Sequence, residues 1–148
     1  MVAYESNPRT EMKNFNDAVC TDSCMEFFVS FDPENVTYVN FEVNAIGTLL
    51  ATRRTAEGNR ETIDKLIGIP EIATNIEADR WSVEYMLTFD QIKVLFPNAD
   101  LNKGSFFRAN FYKCGDNTKI PHYGMWNDVE SEKPSFHIPQ FFGRLNIN

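Results

Sequence analysis

The chain has 148 residues, 43% hydrophobic and 24% charged, and a net charge of −7. That length suits one domain with a real core, and the acidic balance disfavours nucleic-acid backbones and anionic membrane surfaces as partners. Cys20, Cys24 and Cys114 are too few and wrongly spaced for a disulfide framework or a CxxC-type zinc site. No stretch approaches the roughly 18 apolar residues of a membrane-spanning helix, and MVAYESNPRTEMK lacks the apolar run of a secretion signal, so cytoplasmic is the default expectation.

Thirteen phenylalanines and an abundance of Tyr, Trp, Val and Ile in the patterned segments favour strands. Residues 1–19 are polar and mixed, with Val2 and Tyr4 at the end of a strand. The stretch Asp22–Asn44 reads as two strands around the turn Asp32-Pro33-Glu34-Asn35. Met25, Phe27, Val29 and Phe31 share one face with Val39, Phe41, Val43 and Ala45, and belong on a core. The other face carries Glu26, Phe28 and Ser30, then Tyr38, Asn40, Glu42 and Asn44.

Gly47 marks a bend, after which Thr48–Arg53 continues as a strand. The stretch 54–62 is a polar turn region, and Ile63–Ile67 is a short apolar piece of undecided type, stopped by Gly68 and Pro70. A further strand and turn occupy 71–80. Trp81–Leu87 alternates as a strand with Trp81 in the core. Asp90–Phe96 is the one helix candidate, with Asp90 as N-cap and Pro97 beyond its end. Ser105–Lys113 alternates again, with Phe107, Ala109 and Phe111 opposite Phe106, Arg108, Asn110 and Tyr112. The stretch 114–135 is a long aperiodic loop of the kind that is often functional, and Arg144–Ile147 closes the chain as a strand. The pattern predicts an all-β fold: an antiparallel β-sandwich of jelly-roll or immunoglobulin-like type with one short helix.

Several segments in order resemble the family 9-like carbohydrate-binding modules, which share a sandwich with DOMON-type domains. They are Asp22-Ser23-Cys24-Met25-Glu26-Phe27-Phe28, Tyr38 to Gly47, Phe107 to Cys114, Trp126, His137-Ile138-Pro139 and Phe142-Gly143. The resemblance runs from about residue 19 to the end. Its members usually carry roughly fifty more residues in front, so 1–148 reads as a single domain of this type shortened at its N-terminus. Sugar-binding members also place a tryptophan before the DSC segment as one wall of an aromatic sandwich. Here that place falls near Cys20, which leaves Trp126 as the wall.

Non-catalytic carbohydrate binding is therefore the expected function, with a mono- or oligosaccharide as partner. Glu26, Asn40, Glu42, Arg108 and Asn110 would bond hydroxyls from one exposed, concave face, and Trp126 would stack on the ring. The bland alternative is a solvated face with an internal Glu–Arg ion pair. An accessory module without small ligand, dimerising through an exposed sheet edge, is the second reading. A glycoside hydrolase using Glu26 and Glu42 is the third; Arg108 and the amides would keep both ionised, whereas an acid catalyst needs a raised pKa. Calcium is the cation that Asp22, Glu26, Asp116 and Asp128 could bind through oxygen ligands, but scattered loop acids without a metal are the favoured explanation. The haem of some DOMON-type relatives would here draw on Met25, Met125, His122 or His137, residue types more often found satisfied in a core. Cys24 and Cys114 fall on the polar-face side, as buried free thiols.

Overall fold

The computed structural model describes residues 1–133 and 135–148. Among the described residues, ten strands follow in chain order: β1 Val2–Ala3, β2 Cys24–Ser30, β3 Tyr38–Asn44, β4 Leu49–Arg54, β5 Arg60–Thr62, β6 Ile72–Ile76, β7 Trp81–Tyr85, β8 Phe106–Cys114, β9 Tyr123–Met125 and β10 Gly143–Asn146. They form two antiparallel sheets. One has the order β10-β8-β2-β3-β4-β5, with β9 also paired to β8; the other is β1-β7-β6. This is the all-β sandwich that the alternation predicts.

Period-2 patterning explains which surfaces meet. Met25, Val29, Val39, Phe41, Val43, Leu49, Ala51 and Ala109 of the large sheet pack with Trp81 and Val83 of the small one, all buried. Each fully buried side chain of this size contributes about 1.5–3 kcal/mol. The rings of Phe27, Phe41 and Phe111 line up across three neighbouring strands, with centroids 6.5 and 5.0 Å apart. The β2–β3 turn closes with the Asn35 amide donating to the Asp32 carbonyl at 3.0 Å. The β3–β4 turn needs Gly47, whose φ of +86° lies in the left-handed region.

The helix, α1 Phe89–Leu95, begins one turn-position earlier than the sequence suggests. Thr88, not Asp90, is its N-cap: its hydroxyl accepts from the Gln91 amide while the Gln91 side chain accepts from the Thr88 amide, a reciprocal capping box. Ile63–Lys65 of the undecided apolar piece is a 3₁₀ turn. No helix among the described residues is long and apolar enough to cross a membrane.

Two carboxylates, Asp22 buried and Glu5 half-buried, fasten the N-terminal arm. Asp22 accepts from the amides of Glu11 and Met12 and from the Asn44 side chain, with Arg9 3.3 Å away. It is a structural anchor for the arm rather than a loop acid awaiting calcium. Glu5 accepts from the Ser23 hydroxyl at 2.7 Å and the Trp81 indole at 2.9 Å, and meets the Lys113 ammonium at 3.1 Å. It thus touches both sheets.

Candidate functional site

The second face of the large sheet carries the site. Strand register places residues that face one another on the same side. Glu26 stands between Glu42 and Tyr112, Phe28 between Asn40 and Asn110, and Cys24 between Asn44 and Cys114; Ser30 pairs with Arg108 at the far end. Arg54 of β4 joins this face through its pairing with Tyr38. The polar residues of four strands therefore share one surface.

That surface is covered, where the sequence reading expected it exposed. Glu26 is 2% exposed and Glu42 6%, and Asn40 and Asn110 are fully buried. The cover comes from the chain beyond residue 114. Phe136 stacks on Tyr112 with centroids 4.0 Å apart. His137 lies 5.0 Å from the Phe28 ring and bonds the Tyr38 hydroxyl through Nδ1 at 3.1 Å. Phe142 meets Phe28 and Tyr38 edge-on. Aromatic residues on the polar face and on the cover thus make a second small core.

Beside that aromatic cluster a cavity of about 270 Å³ remains. It is lined by Cys20, Glu26, Phe28, Glu42, Cys114, Asp116, Tyr123, Ser135, Phe136 and His137. Its volume is near the lower end of the roughly 300–1,000 Å³ typical of small-molecule sites. Three carboxyl groups, a phenol and an imidazole share it with two phenyl rings.

Burial dominates the protonation of Glu26 and Glu42. Desolvation pushes the Glu42 carboxyl up to about 7, against the opposing pull of the Asn40 hydrogen bond and the Arg54 charge. Glu26 is raised well above the usual carboxylate range, first by burial and then by the neighbouring Glu42 charge. The Tyr123 phenol is raised by its hydrogen bond to Asp116. Loss of solvation, then the charges of Arg54 and Arg60, lower His137 to about 4. The cavity therefore offers both donors and acceptors near neutrality.

The six residues singled out in the sequence separate in space. Glu26 and Glu42 line the cavity. Asn40 holds Glu42, donating from Nδ2 to Oε1 at 2.9 Å while its own carbonyl accepts from the Arg54 guanidinium at 3.2 Å. Asn110 ties its strand to the cover: its carbonyl accepts from the Asn127 amide and from the adjacent Phe111 amide, and its Nδ2 donates to the Asn127 carbonyl. Arg108 lines a different hollow, with Ser30, the β2–β3 turn and Pro139. Trp126 is 52% exposed, but it packs edge-on against Phe111, on the apolar-face side of β8. Gly143 permits this placement, because a Cβ there would come 2.5 Å from the indole.

Arg54, Asp116, Tyr123, Phe136 and His137 complete the cavity surroundings. Arg54 was within reach of the pattern, since extending the β4 strand by one residue puts it in step with Leu50 and Thr52. Tyr123 and Phe136 lie in or beside the aperiodic loop and carried no directional signal. Of the haem candidates, Met25 faces the main core, whereas His137 faces the cavity on the opposite side of the sheet.

A wider hollow of about 850 Å³ lies under the N-terminal arm. Its principal polar groups are already engaged with one another: Lys113 meets Glu5, and its Nζ lies 2.6 Å from His122 Nε2. The smaller cavity gathers three carboxyl groups, where the wider one has Glu5 alone.

Comparison with known proteins agrees with this architecture. The family model of carbohydrate-binding family 9 matches residues 2–147. A 2.70 Å crystal structure from Bacteroides uniformis, of a protein to which carbohydrate binding is ascribed, aligns with a TM-score of 0.78 and 29% sequence identity. The alignment covers 94% of this chain and 67% of that one. Among curated proteins, none matches significantly.

Proposed function

The chain belongs to carbohydrate-binding family 9, and from that premise we propose that it holds a single sugar ring, free or at the end of an oligosaccharide, in the cavity over Glu26 and Glu42. The observation that carries this reading is the joint lining of one hollow by Glu26, Glu42 and Asp116 and by the rings of Phe28 and Phe136. Carboxyl groups bond vicinal hydroxyls, while the rings suit the apolar C–H face of a pyranose. Asn40 and Arg54 position Glu42 from behind, and Asn110 fixes the cover. Arg108 and Trp126 stand outside this proposed contact set.

Binding without turnover suits the geometry better than hydrolysis. A glycosidase places two carboxyl groups on either side of the scissile bond, one of them ionised. Glu26 and Glu42 instead lie side by side on one sheet, paired across neighbouring strands, and burial raises both.

Isothermal titration with mono- and oligosaccharides tests the proposal. Saturable heat from at least one sugar is expected, with affinity reduced tenfold or more in Glu42→Gln, since a neutral amide lacks the charge-assisted bond. Absence of heat across a broad glycan panel would sink it.

A second reading, dimerisation through a sheet edge, draws on β6. This strand lies at the edge of the small sheet and exposes Ala73–Ile76. Analytical ultracentrifugation distinguishes it by a concentration-dependent dimer that Thr74→Pro removes.

A further inference from the structure

We infer that Cys24, Cys114 and Glu26 form a binding site for a thiophilic divalent cation, of the zinc and cadmium type. The spacing of the cysteines along the chain hides this arrangement, because the topology creates it. Cys24 and Cys114 are direct partners across β2 and β8, and Glu26 follows two residues along β2 on the same face. One ligand atom from each lies within 4.8 Å of the others. The Cys114 thiol already approaches Glu26 Oε1 at 2.9 Å. All three residues are buried, and all three cysteines of the chain are free thiols.

A second observation points to a cation. A buried carboxyl that ionises needs a positive group or a metal beside it, and otherwise stays protonated. Among the described residues, no Lys, Arg or His makes an ion pair with Glu26; its hydrogen-bond partner is the Cys114 thiol. A divalent ion would supply the positive partner that the ionised form of Glu26 lacks.

The geometry requires little adjustment. Tetrahedral zinc with bonds of about 2.3 Å to sulfur and 2.0–2.2 Å to oxygen separates its ligand atoms by roughly 3.5–3.8 Å. Side-chain rotation spans the difference from the present contacts. Two sulfurs and one oxygen favour a borderline or soft cation over calcium or magnesium, which prefer oxygen alone. Glu26 and Cys114 also line the 270 Å³ cavity, so a fourth position would face it and take a water. Both thiols, and Glu26 where it is protonated, would release their protons on binding; no electron changes hands.

The test is titration of the reduced, metal-free protein with cadmium, following the ultraviolet thiolate-to-cadmium charge-transfer band. The expected result is a band that saturates at one equivalent, falls by about half or more in Cys24→Ser and in Cys114→Ser, and is retained in Cys20→Ser. Glu26→Gln should weaken binding tenfold or more. X-ray absorption of the zinc-loaded wild-type protein gives an answer that requires no variant to fold: two sulfur ligands are expected. No band at stoichiometric cadmium, a band unaffected by either serine substitution, or a zinc shell of oxygen and nitrogen alone would overturn the inference.

Discussion

The two faces of the large sheet are built from the same strands, yet solve burial differently. One face meets the small sheet with Val29, Val39, Phe41 and Val43, and leaves almost no polar group to satisfy. The other is just as dry at its centre, but it buries Glu26, Asn40, Glu42 and Asn110 beneath a cover that has little regular structure. A sheet partner gives close packing; an irregular cover gives packing in places and a cavity in others. The difference shows why one face can serve stability alone while the other has room for chemistry.

Large-to-small substitutions on each face break the comparison most severely. Phe41→Ala should cost about 3–5 kcal/mol in chemical denaturation, with sugar affinity nearly unchanged wherever the protein remains folded. Phe28→Ala should cost a comparable amount and also weaken sugar binding, because its ring lines the cavity. Equal affinity in the two variants would mean that the faces do not divide labour in this way.

The next effect is electrostatic and belongs to the covered face alone. The folded pKa of Glu42 is raised to about 7 from an ordinary 4.5. Its neutral form therefore supports folding fully below about pH 4.5, and that support is lost as pH rises towards 7. His137, lowered to about 4, acts in the opposite sense and costs stability as pH falls from about 6.5 through 4. Glu42→Gln removes the first contribution, relieves the charge that helps to raise Glu26, and leaves the causes acting on His137 in place. Relative to wild type, it should gain on the order of 3 kcal/mol between pH 4.5 and pH 7.5. Urea unfolding of both proteins at the two pH values measures the gain; a constant difference between them would refute the assignment.

The smallest expected effects lie at Trp126 and Arg108. Each alanine variant should alter sugar affinity by less than about twofold, as for contacts outside a binding hot spot. Loss of titration heat in Trp126→Ala would move the sugar site from the cavity to the edge of β8.

Much of the sandwich was legible because strand alternation has a period of 2. Once Phe27, Phe41 and Phe111 were placed inward, Glu26, Glu42 and Asn110 had to face the other way. The cover was not legible. Residues 126–142 have no period, so nothing along the chain announces that Phe136, His137 and Phe142 fold back over the polar face. The position of Trp126 depends on a pairing of similarly weak signal: β9 sets Met125 opposite Tyr112, which carries the following residue past the strand towards Phe111. The helix start was missed for a local reason. Thr88 and Gln91 form a reciprocal pair, and that outweighs a lone aspartate at position 90.

Glu5 has a wider consequence. Its two oxygens reach Ser23 just before β2, Trp81 in β7 and Lys113 in β8. Two sheets joined mainly by greasy, non-directional contact can slide past each other at modest cost, since dispersion forces specify distance better than alignment. A single side chain with directional bonds to both layers acts as a locating pin. Shortening it by one carbon, as in Glu5→Asp, would force a choice among its partners and allow the layers to settle out of line.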